Sequence, residues 1–397
     1  MWWALLACRQ PEPTPDAPID FLTADRLEEA TTRITDLGPR SSGTPGEEAG
    51  HLEMEAMFRE SGLDEVTLEP FVWDPWLSGP TTVEVGGEIY AAEALSPSPP
   101  TVGLELSLSE GLGVGEASLY WSSDGSRAEQ FVDAAFGGAG GMIRVTEDLD
   151  FDGGMLVEVG HTLEGSTLPA VAVDSETGHA IAEHFGETVR LNIGSQVVAG
   201  HTSYNVLAKV EGKTNLPVFV VAHYDSWHPS ESAFDNALGA AALTLLAGQV
   251  AQGSEPAYDV YFLATTGEEQ GLQGAQAWAN QNDDLARSGR LVITLDVLWS
   301  GEGHFVVMAS DDDLRASAMA AAEAEGLVEA VEGDALSLGS DHVPFFARGV
   351  PAIWCGRWSD RHYHTVADTT EYLDFELAGA ALRSQWRLLA DALELSE

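Results

Sequence analysis

His223, Asp225, Asp235, Glu268, Glu269, Asp296 and His364 are the residues of this 397-residue chain whose types and order can do chemistry. Imidazole and carboxylate are the usual donors to divalent cations, and a carboxylate can be shared between two of them. Glu268 and Glu269 are adjacent, which is costly unless something positive lies between them. The spacing excludes a single helix as the scaffold: no His-Glu-x-x-His occurs, so the one-zinc helical motif is absent. Strand ends can bring such residues together. Residues 218–222 form a short apolar run that reads as a buried strand ending in His223-Tyr224-Asp225. A polar loop then leads to Asp235-Asn236, at the mouth of an Ala/Leu-rich helix expected over 237–250. Residues 258–264 read as a second strand running into Gly267-Glu268-Glu269-Gln270-Gly271-Leu272, and 291–295 as a third ending in Asp296. Ligands in open α/β sheets sit at such carboxyl ends. Side chains alternate along a strand, so Asp225 can lie on the side of His223 and accept its far ring N–H.

These motifs, with Ser340-Asp341-His342-Val343-Pro344-Phe345 and Tyr363-His364-Thr365, resemble those of the co-catalytic di-zinc exopeptidases. That family includes leucyl-type aminopeptidases, glutamate carboxypeptidases and carboxypeptidase Q. The resemblance covers roughly residue 22 to the C-terminus, and no ligand position is substituted. It implies a mixed-sheet α/β three-layer sandwich. One metal would be held by His223, Asp235 and Asp296, the other by Asp235, Glu269 and His364. Glu268 matches the general base, and Tyr363 matches a donor to the tetrahedral oxyanion. Asp341 and His342 would stand behind the ligands, with Asp225. Two Zn2+ ions are the expected cofactors; cobalt and manganese also suit a carboxylate-rich cage.

Composition bounds the rest. Lys+Arg is 18 against Asp+Glu 64, a net charge of −46, which argues against nucleic acid or an anionic membrane as partner. The chain is 44% apolar and long enough for two domains. Residues 1–20 read as an extended tether. Leu5-Leu6-Ala7-Cys8 resembles a bacterial lipoprotein cleavage box, so Cys8 is the expected lipid anchor of an exported chain (periplasmic, cell-surface or secreted). Against this, no charged residue precedes the apolar run, which is shorter than a signal needs. Helices are expected over 22–37 and 47–61, joined by Gly38-Pro39-Arg40, with a strand over 66–71. Residues 77–200 change texture to glycine-rich, short alternating runs and resemble an inserted β-rich protease-associated domain. Residues 21–76 and 201–397 then make the peptidase domain.

The expected activity is that of a zinc exopeptidase, an aminopeptidase by preference, acting on peptides. Carboxypeptidase or glutaminyl cyclase activity would fit the same scaffold, and a non-catalytic binding protein would need ligands this chain has not lost. Ser340-Asp341-His342 does not make a serine hydrolase, since no Gly-x-Ser-x-Gly occurs. His228 and His362 read as loop residues.

Overall fold

The computed structural model of the chain describes residues 20–147, 167–301, 303–327, 329–333, 335–357 and 361–395. The expected anchor at Cys8 and most of the tether lie outside them. Helices α1 (Ala24–Thr35) and α2 (Pro45–Glu60) come first. Each starts on a threonine whose side chain accepts a backbone N–H, Thr23 from Arg26 and Thr44 from Gly46. Strand β1 (Val66–Trp73) leads into β2 (Trp76–Val85), β3 (Glu88–Ala94), β4 (Thr101–Glu110), β5 (Ala117–Trp121), β6 (Gly141–Thr146), β7 (Ala170–Asp174) and β8 (Thr188–Val197). Helices α3 (Arg127–Gly137) and α4 (Ser175–Ala182) are interleaved with them. The chain then returns to β9 (His201–Val210), β10 (Thr214–His223), α5 (Leu238–Gln252), β11 (Tyr258–Thr265), α6 (Gln273–Gln281), α7 (Asp283–Arg287) and β12 (Leu291–Thr294). Last come β13 (Val306–Ala309), α8 (Asp312–Ala324), β14 (Val331–Glu332), α9 (Val343–Phe346), β15 (Ala352–Gly356) and α10 (Phe375–Ala392).

Two sheets result. Strands β2-β3-β7-β6-β5-β4-β8 close into a barrel, which leaves no free edge. The other sheet is open and 8-stranded, in the order β1-β9-β11-β10-β12-β15-β13-β14. Its centre, β11, β10, β12 and β15, is parallel, while β1, β9 and β13 pair antiparallel. This is a mixed α/β fold. Central strands buried on both faces need continuous apolar runs, and β10 supplies one. Val218, Val220 and Ala222 pack into one cluster with α5 residues, whereas Phe219 and Val221 pack into another with Trp278 of α6 and Phe345 of α9. Helix α5 is apolar all round and is buried along almost its whole length. Gly239 allows its closest approach: a Cβ there would lie 2.2 Å from the Leu295 carbonyl oxygen.

Register decides what the sheet presents. His223 stands beside Thr265, and Val221 beside Thr294. The polar residues that follow β10, β11 and β12 therefore emerge at one edge, on neighbouring strands. The barrel is fastened to this edge. Trp227, two residues past Asp225, is buried in the barrel core with Trp76, Ile193 and Leu191. The Gln270 side chain accepts from Trp76 N at 2.8 Å and donates to Trp76 O at 3.0 Å. Among the described residues, no helix is long and apolar enough to cross a membrane.

Candidate metal centre

Asp235 is the hub. Its Oδ1 lies 3.2 Å from His223 Nε2 and its Oδ2 lies 2.9 Å from His364 Nε2, so each carboxylate oxygen faces a different imidazole. On the first side, His223 Nε2 is 3.4 Å from Asp296 Oδ1 and 3.9 Å from Glu268 Oε2. On the other, His364 Nε2 is 3.3 Å from Glu269 Oε2. Donor atoms of His223, Asp235 and Glu269 all fall within 4.8 Å of one another. The seven residues singled out by type and order thus meet, with Asp225 bordering the group through a 3.5 Å approach of its Oδ1 to His223 Nδ1.

Local structure explains the convergence. The Asp235 backbone is held from outside: Asp368 accepts from Phe234 N at 2.7 Å and from Asp235 N at 3.0 Å. Asn236 donates to the Leu295 carbonyl at 2.8 Å, tying this loop to the end of β12. After β11 the chain turns at Gly267, whose φ of +72° suits glycine, and Cβ there would sit 2.9 Å from Trp73. Asp225 Oδ1 also accepts from Glu268 N at 3.3 Å, so one carboxylate borders both His223 and Glu268. Thr266, just before this turn, donates to the buried Glu47 at 3.0 Å. Several residues here adopt left-handed backbone that non-glycine residues avoid: Leu272 (φ 60°), Val297 (φ 46°) and His364 (φ 54°).

The electrostatics call for cations. Burial raises Glu268 well above the carboxylate range, against the pull of His223. Burial, then Asp235, raises Glu269 to about 7, and burial raises Asp341 to about 7. Burial opposes charge on the histidines too, but the carboxylates outweigh it. His364 is held at about 9 by Glu269 and Asp235, and His223 is pushed well above its ordinary value, led by Glu268. Asp235 is lowered despite its burial, by bonds from His223 and His364. A buried group of like charges this dense is stable only when protons or metal ions neutralise it. Among the described residues, Glu269 Oε1 is buried without a hydrogen-bond partner, which suits a metal-ligand oxygen. The donor set, two imidazoles and several carboxylates, fits divalent metal.

The remaining expected residues are placed less directly. Tyr363 stacks on His364 with ring centroids 4.0 Å apart and lines the cavity, which measures about 270 Å3 and includes Leu272, Leu338 and Gly339. Asp341 is buried and accepts from the Thr265 hydroxyl. His342 bonds the Ser337 carbonyl through Nε2 at 2.7 Å, next to the cavity-lining Leu338. His228 is exposed, and His362 stacks on Tyr372 at 3.8 Å. Two groups outside the expected set of site residues shape the site. Asp368 is one. The other is Arg40, fully buried, which donates to the carbonyls of Tyr224 and Glu231 at 2.8 Å each and so ties together the two ends of the loop that links His223 to Asp235. Burial lowers its pKa to about 10, with Asp225 and Asp368 opposing the shift. Gly38-Pro39-Arg40 was the available signal.

The family model for peptidase family M28 matches residues 205–388. In that stretch, which starts in β9 and ends in α10, the chain is similar to peptidase family M28. Aminopeptidase YwaD of Bacillus subtilis (strain 168) is 27% identical over 392 residues, covering 90% of this chain and 80% of that protein. BSAP, a zinc aminopeptidase from Bacillus subtilis, has a similar fold, with a TM-score of 0.77 at 22% identity, over 96% of this chain and 98% of that one. A glutaminyl cyclase from Porphyromonas gingivalis also shares it, with a TM-score of 0.54 at 15% identity over 94% of this chain and 100% of that one. At those identities the two structures speak to the fold alone.

Proposed function

We propose that the protein is a zinc-dependent aminopeptidase that hydrolyses the first peptide bond of peptides with a free amino terminus. The observation that carries this reading is the two-sided contact of Asp235, one oxygen toward each imidazole. The match of residues 205–388 to peptidase family M28 and the aminopeptidase relative support the reaction class.

His223, Asp235 and Asp296 would hold one divalent ion, and Asp235, Glu269 and His364 the other. Ions so held supply Lewis acidity and a water acidic enough to ionise near neutral pH. Glu268 is the base: it takes the proton of the attacking water and returns it to the leaving amine, a role worth ~10²–10⁴ in rate. Its burial beside the cage raises its proton affinity, which suits a group that must pick a proton up and release it. Asp225 orients His223 and the Glu268 backbone together. The Tyr363 phenol donates to the oxyanion of the tetrahedral carbon. Asp341 buttresses the end of β11 through Thr265, and His342 the wall of the cavity through Ser337.

In this reading the open sheet with its helices is a three-layer sandwich, and the barrel between β1 and β9 is a protease-associated insert that walls the cleft. Export, with lipidation at Cys8, rests on the Leu5–Cys8 box alone, and a fatty-acyl mass increment on an N-terminal peptide tests it. The function itself is tested with an amino-acyl p-nitroanilide and its N-acetylated form. The free amine is cleaved, chelation stops cleavage and zinc restores it. Equal cleavage of the acetylated form would contradict an aminopeptidase.

A further inference from the structure

We propose that Arg127, carried by the barrel, makes the His364 side of the cage the weaker of the two metal positions. This rests on the two-metal reading above. Arg127 is the first residue of α3, where a cation opposes the helix dipole and so gains nothing from its own helix. Its Nη2 instead lies 3.0 Å from His364 Nδ1, across the boundary between barrel and sheet. That boundary is fixed: Trp227 is buried in the barrel core, and Gln270 holds Trp76 through two hydrogen bonds.

The two histidines are supported in opposite ways. A neutral imidazole that ligates through Nε2 carries its ring proton on Nδ1. Behind His223 stands a carboxylate oxygen, Asp225 Oδ1, at 3.5 Å from Nδ1. An acceptor there stabilises the ligating tautomer and raises ligand basicity. Behind His364 stands a guanidinium, which has donors only. When His364 ligates, two donors face each other and a fixed cation lies behind the ligand of another cation. Where His364 is neutral and unloaded, this contact suits the other tautomer, with Nδ1 accepting from Arg127 and the Nε2 proton turned to Asp235. Loading this side therefore requires Arg127 to leave Nδ1, whereas loading the His223 side works with its carboxylate. The barrel thereby sets the occupancy of the distal half of the cage.

The test is stepwise zinc removal from the full-length protein with a competing chelator, with metal content counted at each step. Wild type releases its ions in two resolved steps. Arg127→Gln offers an amide oxygen to the Nδ1 proton. It tightens the weaker step about 10-fold or more and leaves the tighter step in place. Arg127→Lys keeps the donors and the charge and behaves as wild type. Asp225→Asn weakens the tighter step instead. The inference is overturned if Arg127→Gln leaves the weaker step unmoved, if Arg127→Lys tightens it equally, or if both ions leave wild type in one step. A wild-type protein that binds no zinc overturns the two-metal reading itself.

Discussion

The barrel and the open sheet differ in how much unfavourable structure they tolerate. Between Trp76 and Val197, every described residue with positive φ is a glycine. In the sheet half, Ser232, Leu272, Val297 and His364 adopt that conformation as well, at roughly 1–3 kcal/mol each. The barrel interior is apolar, built on Val83, Val145, Val173, Leu119 and Leu191. The buried Arg144 there is satisfied locally, donating to Gln130. The carboxyl edge of the sheet buries His223, Asp225, Asp235, Glu269, Asp296 and Asp341 together. The barrel core is held by valines and leucines packed on one another. The sheet edge is complete only with cations.

The sharpest way to break this contrast is to remove the hub. Asp235→Asn takes away the anion facing both imidazoles. Metal content should fall and turnover should drop by more than ~10³, about 4 kcal/mol of barrier. An equivalent change in the barrel, such as Val173→Ala, should lower the melting temperature without altering metal content. A large loss of turnover at unchanged metal content for Asp235→Asn would assign the bridging role elsewhere.

Next in size is the pH response of metal-free protein. Glu269 and Asp341 at about 7, and His364 at about 9, bind protons more tightly folded than unfolded. Their contribution is full below the unfolded values, ~4 for the acids and ~6.5 for histidine. It is lost as pH rises through about 7 and then about 9. Chelated protein should therefore melt lower at pH 8.5 than at pH 5.5, and zinc should narrow that gap. Melting curves with and without chelator check it; a chelated protein more stable at pH 8.5 would contradict it.

The smallest effect belongs to the barrel's own misfit. Burial on β3 raises Glu93 to about 7, so its stabilising protonation is present below ~4.5 and lost through about 7. Glu93→Gln should raise the melting temperature slightly at pH 8 and leave it unchanged near pH 4. The same shift at both values would rule out ionisation as the cause.

Much of the site was legible because its chemistry is written at strand ends. An apolar run such as residues 218–222 announces a buried strand, and the first polar residues after it must emerge at the edge. Register then aligns His223 with Thr265, which no single strand can reveal. Elements without a motif were harder to read. Helix α10 buries Ala378, Ala381, Leu382, Gln385, Leu388 and Leu389 at helical spacing, yet carries no chemistry to draw the eye. Strands β3 and β4 of the barrel mix exposed and buried residues irregularly, so period-2 alternation is blurred. Arg127 lies nearly a hundred residues before His223 and within the barrel; only the tertiary fold brings it to His364.

The two adjacent glutamates test the central claim most directly. Glu268 lies 3.9 Å from His223 and is assigned the proton; Glu269 lies 3.3 Å from His364 and is assigned a metal. Glu268→Gln should retain both zinc ions and lose turnover by ~10²–10⁴. Glu269→Gln should lose zinc from the His364 side and melt at lower temperature, since bound ions stabilise the folded state. Zinc content and turnover measured side by side decide it. A Glu268→Gln protein that loses zinc while Glu269→Gln keeps two would reverse the roles, and full activity in both would contradict the site.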